Sequence, residues 1–394
     1  MTRAGVPQHD VDVCVIGAGV IGLAVAAAVS GRRSVAVLER HPAYGRENSS
    51  HNSGVIHAGI YYPPGWWKTS LCVEGNRLLY AWAEKHAVRV RRLGKLVAAF
   101  DEDEVAALET LAQAAAANGV PELRMMDGHE VRALEPGVPA VRALHSGSSG
   151  VVDQMGLMRS YVEVARAGGA HFAFQHTVTG IRRSGGGFLV AGAGPDNGTF
   201  QLAAGVLVNA AGLGAERMGA LAGYDPDGGP AHPAFRQYVN KGRYYDIVDR
   251  TKAAGISRLV YPLPHEGREG LGVHLTLDID GGLHLGPDAE WLDEGAALDF
   301  RAADDRREVF LEAARRYLPR LEAGDLQPGQ VGYRPKLSGP GQPPRDFLIF
   351  GDRGYVHLGG IESPGLTASL AIARRVAALV GGGTSPEAGA APIV

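Results

Sequence analysis

An α/β fold with two domains is what this 394-residue sequence predicts, and three observations predict it. An apolar strand, a glycine-rich turn and an Ala-rich helix open the chain, and strand patterns of the same buried type return twice further on. Between those returns the pattern changes to strands with aromatic and charged alternation, the mark of a different sheet. Length agrees, because 394 residues exceed what one core usually holds.

Taken in order, Val11, Val13, Val15 and Ile16 form a short β-branched strand, Val20 to Val29 continues as a helix, and residues 34–38 read as a second buried strand, which completes a βαβ unit. From Leu71 the apolar positions Leu71, Leu78, Leu79 and Trp82 share one helical face. Asp101 with Glu104 makes a capping box before a helix that ends at Gly119. Strand patterns at 175–181 and 205–211 resume the first domain, and the second of them ends in the small-residue turn Asn209-Ala210-Ala211-Gly212, which lets backbone approach a ligand closely. Residues 235–321 carry strands through Tyr244, Tyr245, Val260, Tyr261 and 273–277, then a helix near 306–317. Residues 347–350, 356–358 and an Ala-rich helix after Pro364 return to the first domain. The expected division is 1–85, 148–230 and 331–383 for the first domain, 86–147 and 231–330 for the second, and a flexible tail at 384–394.

Charge excludes some functions. With 39 Lys+Arg against 42 Asp+Glu the net charge is -3, so nothing draws the chain globally to nucleic acid or anionic lipid, and a small anionic substrate needs a local basic site. The polar N-terminus lacks the apolar core of a signal peptide, and the stretch from Val11 to Val29 carries Asp12 and three glycines that a strand-turn-helix explains and a membrane span does not. Cys14 and Cys72 suggest neither a disulfide framework nor a thiolate metal site, and there is no HExxH or paired Cys/His spacing. The expectation is a cytoplasmic protein with no nucleic-acid partner and no transmembrane span, contact with the inner face of a membrane being left open.

Gly17-Ala18-Gly19-Val20-Ile21-Gly22 follows a strand and opens a helix, the context that makes this pattern specific. Gly17 permits the turn, Gly19 lets backbone reach a pyrophosphate, Gly22 allows close helix-strand packing, and the helix N-terminus stabilises phosphate charge. Glu39 ends the next strand, where a carboxylate accepts hydrogen bonds from a ribose diol. The motif serves NAD and FAD alike. The loop from Ser49 through Ser50, His51, Asn52 and Ser53 to Gly59 is dense in small hydrogen-bonding residues, and Tyr61, Tyr62, Trp66 and Trp67 beside it suggest a cleft wall.

The run Asn-Ser-Gly-Val-Ile-His-Ala-Gly-Ile-Tyr-Tyr at 52–62, with Leu-Cys-Val-Glu-Gly-Asn at 71–76, resembles the FAD-contacting stretch of L-2-hydroxyglutarate dehydrogenases and oxidases, within the D-amino-acid-oxidase-like superfamily. Segments 271–276 with 285–288, 332–337 with 345–347, and 360–370 agree, so the resemblance spans nearly the whole chain. It implies non-covalent FAD, a discontinuous Rossmann-like FAD-binding domain and an α+β substrate domain built on a mainly antiparallel sheet. The cofactor contacts it implies, together with the motif above, are Gly17, Gly19, Gly22, Glu39, Arg40, Ser50, His51, Asn52, Ser53, Val178, Ala211, Gly212, Gly360, Ile361, Gly365, Leu366 and Thr367. The helix after Ser363-Pro364-Gly365 presents free N-H groups that can stabilise charge on a reduced flavin, with Ser363 as cap and Pro364 in its first turn.

Oxidising a 2-hydroxy acid needs a base at the hydroxyl and a cation at the carboxylate. His57 first, then His274, are the candidate bases, and Arg334 is the candidate carboxylate fork. Tyr61, Arg243, Tyr261 and Lys336 are the candidates for further substrate contacts; the segment 237–245 departs from the family's pattern and leaves the second anchor open among them. The leading expectation is conversion of L-2-hydroxyglutarate to 2-oxoglutarate, with oxygen or a quinone pool as acceptor. Its rivals are an amino-acid or amine oxidase, a glycerol-3-phosphate dehydrogenase-like enzyme, and a flavin-binding protein without turnover.

Overall fold

The structure, a computed structural model, describes residues 9–230, 232–263 and 272–381. Leu271 and the expected tail at 384–394 therefore lie outside the described residues.

Strand β1 (Val11–Ile16) is a continuous apolar run because it is covered on both faces, and Val13, Cys14 and Val15 are wholly buried. It leads through the glycine turn into helix α1 (Val20–Val29) and returns as strand β2 (Val35–Leu38), parallel to β1. α1 is apolar all round and is accordingly an interior helix, packed in one core with the helices Gln154–Ala167 and Gly365–Val380. The strand Thr199–Asn209 lies parallel to β1 on its other side, and Tyr355–Gly359 lies parallel to that. Strands Thr177–Ser184, Gly187–Ala193, His171–Ala173 and Leu348–Asp352 complete an eight-stranded sheet. The chain thus leaves this sheet and re-enters it twice.

The second sheet has nine strands, among them Lys95–Ala99, Tyr238–Ile247, Leu259–Pro262, Leu275–Leu277 and Leu326–Lys336. Its pairings are antiparallel except for Leu259–Pro262 against Lys95–Ala99. Strand β3 (Val55–Ile56) pairs with Gly150–Val152 in a small three-stranded sheet, and helix α2 (Trp67–Lys85) follows it. α2 crosses the helix Gly365–Val380 closely: a Cβ on Gly75 would sit 2.3 Å from the Thr367 carbonyl oxygen.

Three local expectations change. A division at 330/331 would cut the strand Leu326–Lys336, which pairs along its length with Tyr238–Ile247 and so belongs to the second sheet. Ser363 does not cap the last helix: Pro364 occupies the cap position, no side chain closes the N-terminus, and the Ser363 hydroxyl turns towards His57. At 101–104 the Asp101 side chain does accept from Glu104 N at 3.1 Å, while the Glu104 carboxylate accepts from Phe100 N, one residue earlier than a capping box requires.

Candidate active site

The glycine turn is shaped by close approach. Gly17 has φ of +102°, and a Cβ there would lie 2.6 Å from the Ala210 carbonyl oxygen. A Cβ on Gly22 would lie 2.0 Å from the Gly17 oxygen, so α1 can meet β1 only through glycine. The cap residue Gly19 offers no side chain and no acid stands in the first turn of α1, leaving its positive end directed at the cavity. Val20 N donates to Ser49 Oγ at 2.9 Å, which pins the polar loop to that helix end. The Glu39 carboxylate lies beside the turn, accepting from Ala18 N and His41 N at 2.8 Å each. Burial works against ionisation of Glu47, but hydrogen bonds from His41 and Arg40 hold its carboxyl below the usual range, and Arg40 is paired there.

From this end a single cavity of about 820 Å³ runs to the second sheet. Gly17, Gly19, Glu39, Arg40, Val178, Ala211, Gly212, His51, Asn52 and Ser53 line it, joined by Ile361 from the segment before the last helix and by Gly365 and Leu366 from its first turn. Four expected contacts do not line it. Gly22 packs helix on strand; the Ser50 hydroxyl donates to Glu47 O and meets His51 Nδ1; Gly360 has φ of +63° and leaves room for Leu337. Thr367 Oγ1 accepts from His57 N at 2.9 Å and donates to Val55 O, so it positions β3 and His57 without facing the cavity.

The far end is aromatic. Tyr61, Tyr62, Tyr244, Tyr261, His274 and Trp291 all line it, and the Tyr61 hydroxyl and Trp291 Nε1 are buried without a hydrogen-bond partner among the described residues. The Tyr261 ring stacks on His274 with centroids 3.6 Å apart. His57 is held through its backbone by Thr367 and by Asn76, whose Nδ2 donates to His57 O at 2.9 Å; its Nε2 lies 3.3 Å from Ser363 Oγ. Burial, then the charges of Lys95 and His274, hold His57 well below the ordinary histidine value, which keeps the ring neutral and able to accept a proton.

Arg334 also faces this end. Its guanidinium donates to Asn240 Oδ1 and to the Asp288 backbone oxygen, both neutral acceptors, and Gly242 opposite leaves the space it fills. The Asp288 carboxylate is drawn to the other face of the strand by Arg243, through Arg243 N at 2.7 Å and Nη1 at 3.0 Å.

Arg243 is therefore not a cavity residue, contrary to expectation. Along Tyr238–Ile247 the residues Asn240, Gly242 and Tyr244 line the cavity, and the alternation of a strand sends Arg243 to the opposite face, where Glu290 and Asp305 join Asp288 around it. Arg243→Met is expected to lower stability in urea denaturation by roughly 3 kcal/mol, since Asp288, Glu290 and Asp305 then lose the buried cation they share. An unchanged midpoint refutes this.

Lys336 does line the cavity, but its charge is engaged. Glu362, buried, sits between Lys68 and Lys336 with Nζ–O distances of 2.9 Å to each. Burial raises the Glu362 carboxyl, yet Lys68 and Lys336 outweigh it and keep the group ionised. Glu362 and Lys68 were missed in the sequence, although Glu362 lies inside a quoted motif, because a lone acid before Ser363-Pro364 gives no sign of its partners. Asp346, in another such motif, caps α2 by accepting from Trp67 N and Lys68 N.

Residues 12–379 match the family described as FAD dependent oxidoreductase (DAO). The chain is 37% identical to mitochondrial L-2-hydroxyglutarate dehydrogenase of Arabidopsis thaliana, over 94% of this chain and 84% of that one. It is 28% identical to L-2-hydroxyglutarate dehydrogenase of Escherichia coli K12, over 94% and 93%. Among solved structures it superposes on dithionite-reduced L-alpha-glycerophosphate oxidase from Mycoplasma pneumoniae with FAD bound, with a TM-score of 0.82, 27% identity and 94% of each chain covered.

Proposed function

Because the chain belongs to the FAD-dependent oxidoreductase (DAO) family, we propose that it oxidises a 2-hydroxy acid to the 2-oxo acid, with L-2-hydroxyglutarate as substrate and 2-oxoglutarate as product. The cofactor is FAD, and the residues fit it: the acid-free start of α1 with Gly17 and Gly19 suits the pyrophosphate, Glu39 the ribose, and the uncapped start of Gly365–Val380 the ring system. Bound there, FAD would supply the two-electron oxidant for the C2–H bond of the substrate.

The observation that carries the reading is that a neutral imidazole and a guanidinium bonded only to neutral acceptors face one aromatic cavity end. Arg334 holds the carboxylate next to C2 with its planar fork. His57 takes the hydroxyl proton, its ring oriented by Ser363 and its backbone fixed by Thr367. The tyrosines and Trp291 exclude water from the reacting atoms. Among the described residues no helix is long and apolar enough to cross a membrane.

The test is anaerobic bleaching of the protein-bound flavin by L-2-hydroxyglutarate, its D enantiomer, L-lactate, glycerol 3-phosphate and several amino acids. Rapid reduction by L-2-hydroxyglutarate alone is expected. Preference for an amine or for glycerol 3-phosphate, or no reduction by any donor, would retire the proposal.

A further inference from the structure

The substrate end of the cavity is backed by a charged side chain that no role above employs. Lys95, on the strand Lys95–Ala99, is 1% exposed, and does not itself line the cavity. Its Nζ lies 3.8 Å from the centroid of Tyr261 and 5.8 Å from that of Tyr61. His274 is stacked on the same Tyr261 ring with centroids 3.6 Å apart, and one face cannot hold both groups at these distances. The order is therefore ammonium, phenol ring, imidazole, with the imidazole at the cavity.

An interior cation is costly unless something compensates it, and here the π faces of two tyrosines do so only in part. The groups facing it from the surrounding elements are Cys72 of α2, Tyr61, Tyr261, His57 and His274, none of them an acid, and among the described residues no carboxylate pairs with it. The Cys72 thiol is pushed up to about 12 by burial, and burial likewise raises the Tyr61 and Tyr261 phenols, so no anion forms there at neutral pH.

We propose that Lys95 is a positioning residue for the reaction: from behind Tyr61 and Tyr261 its ammonium places positive potential on the substrate end of the cavity, which keeps His57 in its proton-accepting form and favours a bound carboxylate. Through His57 the proposal rests on the reading of the site as a 2-hydroxy-acid oxidase. Burial pulls the ammonium down to about 7, so its charge appears as pH falls into the range where a histidine would otherwise take up a proton. The cation thus opposes loss of the base where that loss would begin.

Lys95→Met removes the charge at nearly constant volume, and Lys95→Arg keeps a charge. Two readouts separate a structural role from an electrostatic one. In the FAD-loaded protein, the pH profile of anaerobic flavin reduction by L-2-hydroxyglutarate should show its acid limb moved up by roughly one pH unit in K95M, with weaker substrate binding. In histidine-labelled protein without substrate, the NMR titration of the His57 ring, assigned with His57→Gln, should move up by a similar amount in K95M and stay near the wild-type position in K95R.

Stability supplies the sign. The folded value of Lys95 lies below its ordinary 10.5, so the unfolded chain binds more protons between about 7 and 10.5, and the burial penalty is full below 7 and relieved as pH rises. K95M should therefore melt at least as high as wild type, by the widest margin below pH 7, while turning over less well. A His57 titration unchanged in K95M, or moved equally in K95R, overturns the proposal whatever the rates. If no 2-hydroxy acid reduces the wild-type flavin, the functional reading falls, and the NMR titration still decides Lys95.

Discussion

Replacing His57 by glutamine should slow anaerobic flavin reduction by roughly 10²–10⁴-fold while leaving the protein yellow and folded. The expectation follows from how the residue is held. Its backbone N–H and carbonyl are tied to Thr367 and Asn76, so β3 keeps its place whichever side chain is attached, and only the proton acceptor is lost. Because burial, Lys95 and His274 hold the imidazole well below its ordinary value, the wild-type rate should persist as pH drops through the usual histidine range. The variant should instead respond to hydroxide. Stopped-flow reduction over that range, with flavin content measured alongside, checks both points. A variant within a few-fold of wild type would assign the base to His274 or to solvent.

Gly22→Val is expected to abolish the holoprotein. Any Cβ at this position meets the backbone oxygen of Gly17, which cannot turn aside as a side chain could, and Val15 Cγ1 stands 3.3 Å away. α1 would have to lift from β1, opening the core it shares with the helices Gln154–Ala167 and Gly365–Val380, at a cost of upwards of about 3 kcal/mol. Gly19→Ala is the informative contrast. Its Cβ would approach only Ser49 Oγ, at 3.0 Å, a side-chain atom that needs to give way only slightly. That variant should fold and melt near wild type without cofactor, yet bind FAD weakly because the methyl occupies the pyrophosphate's approach. The flavin-to-protein absorbance ratio and melting temperature of each variant, with and without added FAD, separate the two effects. A Gly22→Val protein that purifies yellow with an unchanged melting temperature contradicts the packing argument.

Much of the nucleotide side was legible in the chain because its signals are local. The strand, the turn, the helix and Glu39 lie within thirty residues, and each glycine answers to contacts with its near neighbours or with the returning strand at Ala210. The helix Val20–Val29 falls where its composition put it, and the two re-entries of the domain were visible as buried strand patterns at 205–211 and 356–358. The cavity-lining positions of His57, His274, Arg334 and Tyr61 likewise came from segments recognised as motifs, and that of Tyr261 from a strand pattern.

The substrate side was less legible, and the misses have physical causes. In a strand, neighbouring residues face opposite ways, so Arg243 and Tyr244 could not both serve the cavity; yet both faces of Tyr238–Ile247 carry mixed polar and aromatic residues, and composition does not say which is inward. Lys336 looked like an open cation until Glu362 was found between it and Lys68, an arrangement joining chain positions almost 300 residues apart. Lys95 drew no reading from the sequence, and only the tertiary structure shows it buried against Tyr61 and Tyr261. The sequence by itself determined the βαβ unit, its dinucleotide turn and the family resemblance, because these depend on backbone conformation and short-range spacing. Tertiary structure alone decided which charges remain available to a substrate, since whether a charge is free depends on long-range partners and burial that no local pattern encodes.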